Sequence, residues 1–164
     1  MDAAAIHGKL TRAFDSGVGE CRLDVKDPFL MVEPGRILDT ARLLHDDSEL
    51  AFDSLSNLSG VDYRTQGHIQ IVYHLFSYTH RHWIILKVNA DRENPVVPTV
   101  SSVWKAANWH EREVFDLLGV TFTGHPDLRR ILMPEDWIGY PLRKDYVEPV
   151  EYHGISTRRE SLLR

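Results

Sequence analysis

The spacing of apolar residues over the first sixty positions predicts two helices and three strands. Residues 2–15 repeat apolar side chains every three or four positions, which is the pattern of a helix with one buried face. The stretch that begins at Pro34 has the same spacing and predicts a second helix. Strands are predicted where apolar residues alternate or form short runs, over residues 21–25, 29–32 and 52–58.

The clearest strand signals lie in the middle of the chain. Residues 68–78 alternate apolar and polar side chains, and residues 82–90 are rich in β-branched and bulky side chains. The residues between them, 79–81, suit the turn of a β-hairpin. We therefore predict two adjacent antiparallel strands in this part of the chain.

Two helices are predicted before Gly119. A short helix begins at residue 101 or 102, where a serine can cap it, and continues to about residue 107. A second helix covers residues 109–118, with Asn108 as its cap and Gly119 as its C-terminal stop. The second helix is rich in charged residues.

After Gly119 the sequence no longer predicts long regular elements. Prolines recur among charged and aromatic residues, at Pro126, Pro134, Pro141 and Pro149. The order of elements predicts an α+β fold, a two-layer sandwich of one mixed sheet and helices, followed by a helical and extended C-terminal arm. We place the α+β domain, including its last helix, at residues 1–118 and the extended partner-binding arm at residues 119–164.

Composition and charge exclude several classes of function. The chain has 164 residues, 43% of them hydrophobic and 26% charged, which is ordinary for a globular domain. A net charge of -5 gives no general attraction to nucleic acid or to an anionic membrane. No apolar run approaches the roughly 20 residues that cross a bilayer, and we expect neither a secretory signal nor a transit peptide. The single cysteine, Cys21, excludes an internal disulfide and an iron-sulfur cluster held by thiolates of this chain alone.

Residues 110 and 111 begin like the His-Glu-x-x-His motif of zinc hydrolases. In that motif two histidines four positions apart share one helix face and bind the metal. Here Val114 stands in the place of the second histidine and cannot bind zinc. We therefore interpret His110 as a residue of the helix surface or of an interface. A stand-alone metal-dependent hydrolase that uses His110, Glu111 and Glu113 stays open as an alternative.

The other charged residues of this helix favour a structural role over acid–base catalysis. Glu111 and Glu113 point to different sides of a helix, whereas Arg112 and Asp116 are four positions apart and are expected to pair. We interpret these residues as a charged, partly paired helix surface. The arginine pairs of the tail lie near tryptophan and tyrosine, which suits a protein interface or a solvated surface. They do not form the dense basic patch that a nucleic-acid site needs.

A long motif spans the second predicted helix and the tail. Its sequence is NWHEREVFDLLGVTFTGHPDLRRILMPEDWIGYPLRKDY, at residues 108–146. It closely resembles the signature region of the C subunit, the thirty-kilodalton subunit, of respiratory complex I, the proton-pumping NADH:quinone oxidoreductase. The stretch LSNLSGVDY, at residues 55–63, resembles the same family. The matching positions of the long motif are Glu111-Arg112-Glu113, Asp116, Gly119, Phe122, Gly124-His125-Pro126, Leu128-Arg129-Arg130-Ile131-Leu132 and Pro141-Leu142-Arg143-Lys144-Asp145.

The resemblance implies a non-catalytic structural subunit of the peripheral arm of such a complex. Electrons would pass from NADH through flavin and iron-sulfur centres of other subunits to quinone, and this chain would hold no cofactor, metal or catalytic residue. The resemblance implies docking to the large D subunit that forms the quinone site, near the cluster-bearing B and I subunits. It also implies a peripheral position on the cytoplasmic face of the cell membrane, with membrane association only through the complex.

The resemblance also implies which side chains contact partners. The arginines of the motif are expected to form charge-assisted hydrogen bonds to carboxylates or carbonyl groups, within or between chains. The first alternative is a homologous subunit of a membrane-bound hydrogenase or of a complex fed by another electron donor. The candidate interface residues are Trp109, Glu111, Arg112, Glu113, His125, Arg129, Arg130, Trp137, Tyr140, Arg143, Lys144 and Tyr146.

Overall fold

The computed structural model describes residues 3–14 and 16–158. Short 3-10 turns precede the second helix and the fourth strand, at Pro34–Arg36 and Arg64–Gln66. The helices and strands, in chain order, are α1 (Ala3–Ala13), β1 (Val18–Arg22), β2 (Phe29–Val32), α2 (Ile37–Asp46), β3 (Ser54–Tyr63), β4 (His68–Ser77), β5 (His82–Asp91), β6 (Val96–Pro98), α3 (Ala107–Leu118), β7 (Thr121–Thr123), β8 (Glu151–Tyr152) and β9 (Ile155–Ser156).

Five strands form one mixed sheet in the order β1-β2-β5-β4-β3. The pair β2 and β5 is parallel, and the other neighbours are antiparallel. The predicted hairpin is β4–β5, whose register runs without interruption from His68 opposite Asp91 to Ser77 opposite His82. This regular pairing follows from the alternation of apolar residues, because every second side chain of a strand points to the same face.

The helices pack on one face of this sheet. Ile6 of α1, Leu44 of α2 and Leu118 of α3 belong to one core together with Ile71 of β4. The alternate positions of β4 are less covered, as the half-buried Val72 shows. The predicted α+β architecture of one mixed sheet and a helical layer is therefore confirmed.

Two predicted strands have different bounds in the structure. The first strand is Val18–Arg22 instead of residues 21–25, so Gly19 lies within the strand and does not precede it. Strand β3 is Ser54–Tyr63 instead of residues 52–58, so it continues through Gly60. The cause is close packing, since a Cβ at Gly60 would lie 2.4 Å from the Leu118 side chain. Gly60 therefore allows close approach of α3 and does not end the strand.

The helix predicted over residues 101–107 does not form. The backbone N–H groups of Val103 and Trp104 both donate to the Val100 carbonyl, so this stretch is a tight turn. The Trp104 indole N–H donates to the Phe52 carbonyl at 2.8 Å and fixes the turn against the core. Helix α3 begins at Ala107, so Asn108 lies within it and does not cap it.

The end of α3 is formed as expected, and the chain continues to pack beyond it. Gly119 has a φ of 75°, the left-handed conformation that ends helices, and its N–H donates to the Phe115 carbonyl. Strand β7 then pairs in parallel with β6, and Phe122 is buried in the core. The packed part of the chain therefore includes the first residues of the predicted arm.

Candidate functional site

The residues that follow β7 cross the outside of α3 without forming a long element. We call residues 124–150 the arm segment; it consists of turns and extended backbone. Helix α3 faces the core with Ala107, Val114 and Leu118, and three of its charged residues are also buried. Burying a charge is costly unless it is paired or hydrogen-bonded. The contacts of these charged residues therefore define the candidate site.

Asp116 is completely buried and holds the middle of the arm segment. Its Oδ2 accepts hydrogen bonds from three consecutive backbone N–H groups, those of Ile131, Leu132 and Met133, at 3.0, 2.7 and 2.9 Å. Arg130 donates to Oδ1 at 2.9 Å. Burial alone would raise the pKa of Asp116, but these four donors together hold it below its usual value. The carboxylate is therefore ionised and fixes the arm backbone at residues 130–133.

Arg130 extends this attachment toward the end of the arm segment. Its second terminal nitrogen donates to the carbonyl oxygens of Trp137 and Gly139, both at 3.1 Å. Its guanidinium carbon lies 5.5 Å from the centre of the Tyr140 ring. A planar guanidinium can satisfy a carboxylate and several carbonyl groups at once, which an ammonium cannot do in the same geometry. Arg130 therefore binds helix α3 and two turns of the arm together.

The carbonyl groups at the end of α3 bind the arm segment as well. Arg143 donates to the Leu118 carbonyl at 2.8 Å, and the backbone N–H of Leu142 donates to the Leu117 carbonyl at 3.0 Å. The Tyr140 ring covers Gly119, where a Cβ would lie 2.5 Å from the ring. The last carbonyl groups of a helix lack partners within it, so the arm satisfies groups that would otherwise need water.

A second polar cluster fixes the far end of the arm segment to the sheet. Arg92 donates to both oxygens of Asp62, at 2.8 and 2.9 Å, and to Asp145 at 2.6 Å. The backbone N–H of Lys144 also donates to Asp62, at 2.8 Å. The Arg92 guanidinium lowers the pKa of Asp62, although burial opposes this, and it also lowers the pKa of Asp145. The same pairing raises the pKa of Arg92.

Glu111 is also completely buried, but its surroundings differ from those of Asp116. It accepts hydrogen bonds from the Thr99 hydroxyl at 2.5 Å and from the Val100 N–H at 2.8 Å. The His125 Nε2 is 3.9 Å away and donates instead to the Asn108 carbonyl at 3.1 Å. Burial raises the pKa of Glu111 to about 7, and the two hydrogen bonds only partly oppose this effect. Glu111 is therefore balanced between its charged and neutral forms near neutral pH.

Arg112 does not pair with Asp116, contrary to the prediction. Its Nε donates to the Arg129 carbonyl at 3.2 Å, and its guanidinium lies over the exposed Trp109 ring, 4.9 Å from the ring centre. Asp127 is 3.9 Å from it. Asp116 is turned toward Arg130 instead, so the two residues face different parts of the arm. The interpretation of these residues as a charged, partly paired helix surface is wrong for Glu111, Arg112 and Asp116, because the core and the arm bury all three.

The candidate interface residues therefore fall into two groups. Glu111 is completely buried, and the side chains of Arg112 and Arg130 form the intramolecular contacts described above, so any part that Glu111 has in a partner interface is indirect. Tyr140, Arg143 and Tyr146 are half-buried within the arm. The side chain of His125 is buried, and the Trp137 indole donates to the Tyr146 hydroxyl at 3.0 Å. The exposed members are Trp109, Glu113, Arg129 and Lys144. Their contact with partners stays a prediction.

The arm segment and the hairpin after it carry an unusual set of exposed aliphatic side chains. Their exposed fractions range from 54% to 85%. A protein that works alone rarely leaves so many large apolar side chains uncovered within one stretch. The set consists of Leu132, Ile138, Leu142, Val147, Val150 and Ile155.

The residues proposed for the alternative hydrolase do not converge. Glu111 points into the protein toward Thr99, whereas Glu113 on the same helix is exposed. Among residues 3–14 and 16–158, no group of three or more histidine, cysteine, aspartate or glutamate side chains is arranged to hold a metal ion. In the same part of the chain, no helix is both long and apolar enough to cross a membrane.

Sequence analysis missed the residues that pair with the motif from a distance, namely Asp62, Arg92 and Thr99. One signal could have found Asp62. In β3 it follows Leu58 and Gly60 at alternate positions, so it is a charged residue on the face that packs against the core. A charge at such a position needs a partner. Its partner Arg92, thirty positions later, has no signal in the sequence pattern.

Comparison with known proteins agrees with this architecture. The family described as "Respiratory-chain NADH dehydrogenase, 30 Kd subunit" matches residues 30–152. The C subunit of NADH-quinone oxidoreductase from Roseiflexus sp. (strain RS-1) is 50% identical over 149 residues, which are 88% of this chain and 84% of the relative. The C subunit of the same enzyme from Roseiflexus castenholzii (strain DSM 13941 / HLO8) is 56% identical over 115 residues, 70% of this chain and 66% of that relative.

Two solved structures share the fold. The trypsin-resistant fragment (1-134) of Nqo5 has a TM-score of 0.59 and 28% identity, and the match covers 75% of this chain and 98% of the fragment. A chain of the membrane-bound sulfane sulfur reductase, an archaeal respiratory membrane complex, has a TM-score of 0.67 and 25% identity, over 88% of this chain and 84% of the other. The chain belongs to the family of the 30 Kd subunit of respiratory-chain NADH dehydrogenase, the C subunit of NADH-quinone oxidoreductase.

Proposed function

We propose that this chain is a non-catalytic docking subunit of the peripheral arm of a proton-translocating NADH:quinone oxidoreductase. Its arm segment is the surface that binds the large quinone-site D subunit, near the cluster-bearing B and I subunits. Flavin and iron-sulfur centres in those other subunits carry electrons from NADH to quinone. The chain lies on the cytoplasmic face of the cell membrane and is bound there through the complex.

The observation that carries this proposal is the contrast between the two sides of the arm segment. Its inner side is fixed by Asp116, Arg130 and Arg92 through partly buried hydrogen bonds. Its outer side leaves aliphatic side chains uncovered, with Ile138 83% and Val147 85% exposed. A backbone that is already ordered loses little conformational entropy on binding, so the exposed apolar area can contribute to affinity.

The test is purification of the tagged chain from membranes solubilised in mild detergent. The co-purifying subunits are identified, and NADH:quinone activity is measured. We expect wild type to recover the quinone-site and cluster-bearing subunits. The variant with Ile138→Asp and Val147→Asp should lose most of them, because it places charge in an apolar contact.

Tyr78→Asp is the matched control. Tyr78 is also an exposed large side chain, but it lies at the β4–β5 turn, at the opposite end of the sheet from Asp62 and Arg92. The control should recover the same partners as wild type. Full recovery with the double variant, or equal loss with the control, would refute a docking role of the arm segment.

The electron donor is a separate question, because the fold also occurs in the membrane-bound sulfane sulfur reductase. The second candidate is therefore a subunit of a complex fed by another donor, such as a membrane-bound hydrogenase. Recovery with flavin-bearing subunits and NADH-dependent quinone reduction supports the first candidate. Recovery of cluster-bearing subunits with a different donor module, and no oxidation of NADH, supports the second.

A further inference from the structure

Two buried side chains meet where the arm segment leaves the α+β domain. Glu111 of α3 is completely buried, and so is the side chain of His125, near the start of the arm segment. The His125 Nε2 and the Glu111 Oε2 are 3.9 Å apart. This contact is separate from the attachment at Asp116, which holds the arm backbone further along the chain, at residues 131–133.

The hydrogen bonds of His125 locate its proton. Its Nδ1 accepts a hydrogen bond from the backbone N–H of Asp127 at 3.0 Å, so this nitrogen carries no proton. Its Nε2 lies 3.1 Å from the carbonyl oxygen of Asn108, which can only accept. The imidazole is therefore neutral, with its single proton on Nε2, as its partners require. That N–H is bound to a neutral carbonyl and has the Glu111 carboxyl group as a second acceptor nearby.

The hydrogen bonds of Glu111 reverse when its charge changes. As a neutral acid, its Oε2–H donates to the Thr99 hydroxyl, which in turn donates to Ser101 Oγ at 2.8 Å. As a carboxylate, Glu111 can only accept, so the Thr99 hydroxyl must turn and donate to Oε2. The Val100 N–H donates to Oε1 in both forms. The ionised form is therefore a buried negative charge whose two donors in the described part of the chain are neutral.

Such a charge attracts any further donor that can reach it. Burial raises the pKa of Glu111 to about 7, so both forms exist near neutral pH. A hydrogen bond to a charged group is roughly twice as strong as one between neutral groups. The Nε2–H of His125 therefore gains by moving from the Asn108 carbonyl to the ionised carboxylate. The Asn108 carbonyl loses little, because it lies in α3 and keeps a donor in the backbone ladder of the helix.

Tyr73 of β4 is the other titratable group that faces Glu111. Its hydroxyl is buried and has no hydrogen-bond partner within the described residues. Burial and the charge of Glu111 both raise the pKa of Tyr73, so it stays neutral over the range in which Glu111 titrates. Among the described residues no lysine or arginine forms an ion pair with Glu111: Arg112, next to it on α3, donates to the Arg129 carbonyl. Asp127 is on the exposed side, where it pairs with Arg129.

We propose that Glu111 and His125 form a proton-dependent contact between helix α3 and the start of the arm segment. When Glu111 holds its proton, the His125 N–H stays on the Asn108 carbonyl. When Glu111 releases the proton to water, the imidazole turns to the carboxylate. The Nε2–Oε2 distance then shortens by about 1 Å, to the usual length of a charged hydrogen bond. Residues 124–127 follow the ring, because the Asp127 N–H is bound to its Nδ1.

This contact makes the first residues of the arm segment sensitive to pH near neutrality. Gly124, with a φ of 80°, connects them to strand β7 and lets the backbone turn there without strain. The inference goes beyond the proposed docking role and does not depend on it, since every group that takes part belongs to this chain.

The test is NMR spectroscopy of the isotopically labelled full chain, titrated from about pH 5.5 to about pH 8.5, the range on both sides of the Glu111 titration. The Glu111 carboxyl carbon reports its ionisation. We expect the His125 Nε2–H and the Asp127 amide to shift with the same midpoint, while Nδ1 stays unprotonated. The amides of residues 131–133 are the internal control and should stay constant, because the lowered pKa of Asp116 keeps that carboxylate ionised throughout.

Two variants identify the groups that respond. Glu111→Gln keeps the shape of the side chain, donates to Thr99 as the neutral acid does and cannot ionise. The His125 and Asp127 signals of this variant should therefore no longer shift. Tyr73→Phe removes the other group that faces Glu111, and the His125 shift should persist in it.

Three results would overturn the inference. The first is a set of His125 signals that stays constant in wild type over the whole range. The second is protonation of Nδ1 with the same midpoint in wild type and Glu111→Gln, which would show that His125 titrates by itself. The third is loss of the His125 shift in Tyr73→Phe, which would show that the buried hydroxyl, and not a direct contact, transmits the charge of Glu111.

Discussion

Two carboxylates on helix α3 are both shielded from solvent, and their pKa values shift in opposite directions. Glu111 and Asp116 are both completely shielded from solvent and lie five positions apart. The pKa of Glu111 is raised to about 7, whereas the pKa of Asp116 is lowered. Burial raises the pKa at both sites. Two causes separate the sites: Glu111 lies deeper in the protein, so burial raises its pKa more, and Asp116 has more hydrogen-bond donors, one of them a cation.

Asp116 has four donors, one of them the cation Arg130, and all four belong to the arm segment. Glu111 has two neutral donors, from Thr99 and Val100, which belong to the α+β domain. The comparison shows that the charge of Asp116 is used to attach the arm. Glu111 fills an interior position that a neutral side chain could also occupy.

The largest expected effect is that of Asp116→Ala. It leaves the N–H groups of residues 131–133 and the cation Arg130 without their common acceptor. Removing one partner of a buried charged network costs about 3–5 kcal/mol. We expect a loss of this size in the free energy of unfolding measured by urea titration, together with faster hydrogen exchange at residues 131–133.

Asp116→Asn is the conservative comparison, since it keeps the shape and one acceptor oxygen but loses the charge. Its free energy of unfolding should fall less than that of the alanine variant. The depressed pKa of Asp116 means that its contribution is present above the unfolded value and disappears as the pH falls through the folded value. Equal stability of wild type and Asp116→Ala at pH 7 would contradict the role assigned to this carboxylate.

Glu111→Gln should instead increase the free energy of unfolding above neutral pH. In the neutral form, the Glu111 Oε2–H can donate to the Thr99 hydroxyl, which can itself donate to Ser101 Oγ at 2.8 Å. A glutamine amide can donate to Thr99 in the same way while its oxygen accepts from Val100. At pH 8 the variant should be more stable than wild type by about 1–3 kcal/mol, since each unit of pKa shift corresponds to about 1.4 kcal/mol.

The pH dependence tests this assignment. Because the folded pKa of Glu111 is raised, its favourable contribution is fully present below the unfolded value of 4.5 and is lost as the pH rises through about 7. The advantage of Glu111→Gln should therefore vanish near pH 4.5 and grow toward pH 8. The titratable groups beside Glu111 are Tyr73 and His125. The Tyr73 hydroxyl is buried and lacks a hydrogen-bond partner within the described residues. A constant difference across this pH range would show that Glu111 does not titrate there.

Gly119→Ala sharpens the comparison at the Asp116 end of the helix. The added Cβ would meet the Tyr140 ring at 2.5 Å, and the φ of 75° disfavours any side chain. We expect the free energy of unfolding to fall by about 1–2 kcal/mol, in the usual range for strain and overpacking. The fluorescence or NMR signals of the arm should change, while exchange protection in β4 and β5 should not. Loss of protection in β4 and β5 would show that the arm and the domain unfold as one unit.

Local patterns in the sequence predict the fold better than they predict the surroundings of Glu111 and Asp116. The alternation of residues 68–77 and 82–91 is sufficient to predict β4 and β5, because each strand buries one face. A one-dimensional pattern assigns charged residues to the surface by default. The pattern therefore predicts a charged, partly paired helix surface at Glu111 and Asp116, since only the folded chain brings Thr99 and residues 130–133 beside them. The attachment of the arm depends on such long-range contacts, which spacing along the chain does not encode.

The smallest expected effect is that of Glu113→Gln, the third carboxylate of the same helix. Glu113 is exposed, and its side chain has no hydrogen bond or ion pair with the described residues. Surface substitutions of this kind usually change stability by no more than about 0.5 kcal/mol, at any pH. Urea titrations of this variant at pH 4.5 and pH 8 therefore serve as the baseline for Glu111→Gln, since both remove one carboxylate from α3. Glu113→Gln could gain as much free energy of unfolding between pH 4.5 and pH 8 as Glu111→Gln does. This result would mean that the net charge of the protein, and not burial with few hydrogen-bond donors, causes the gain in Glu111→Gln.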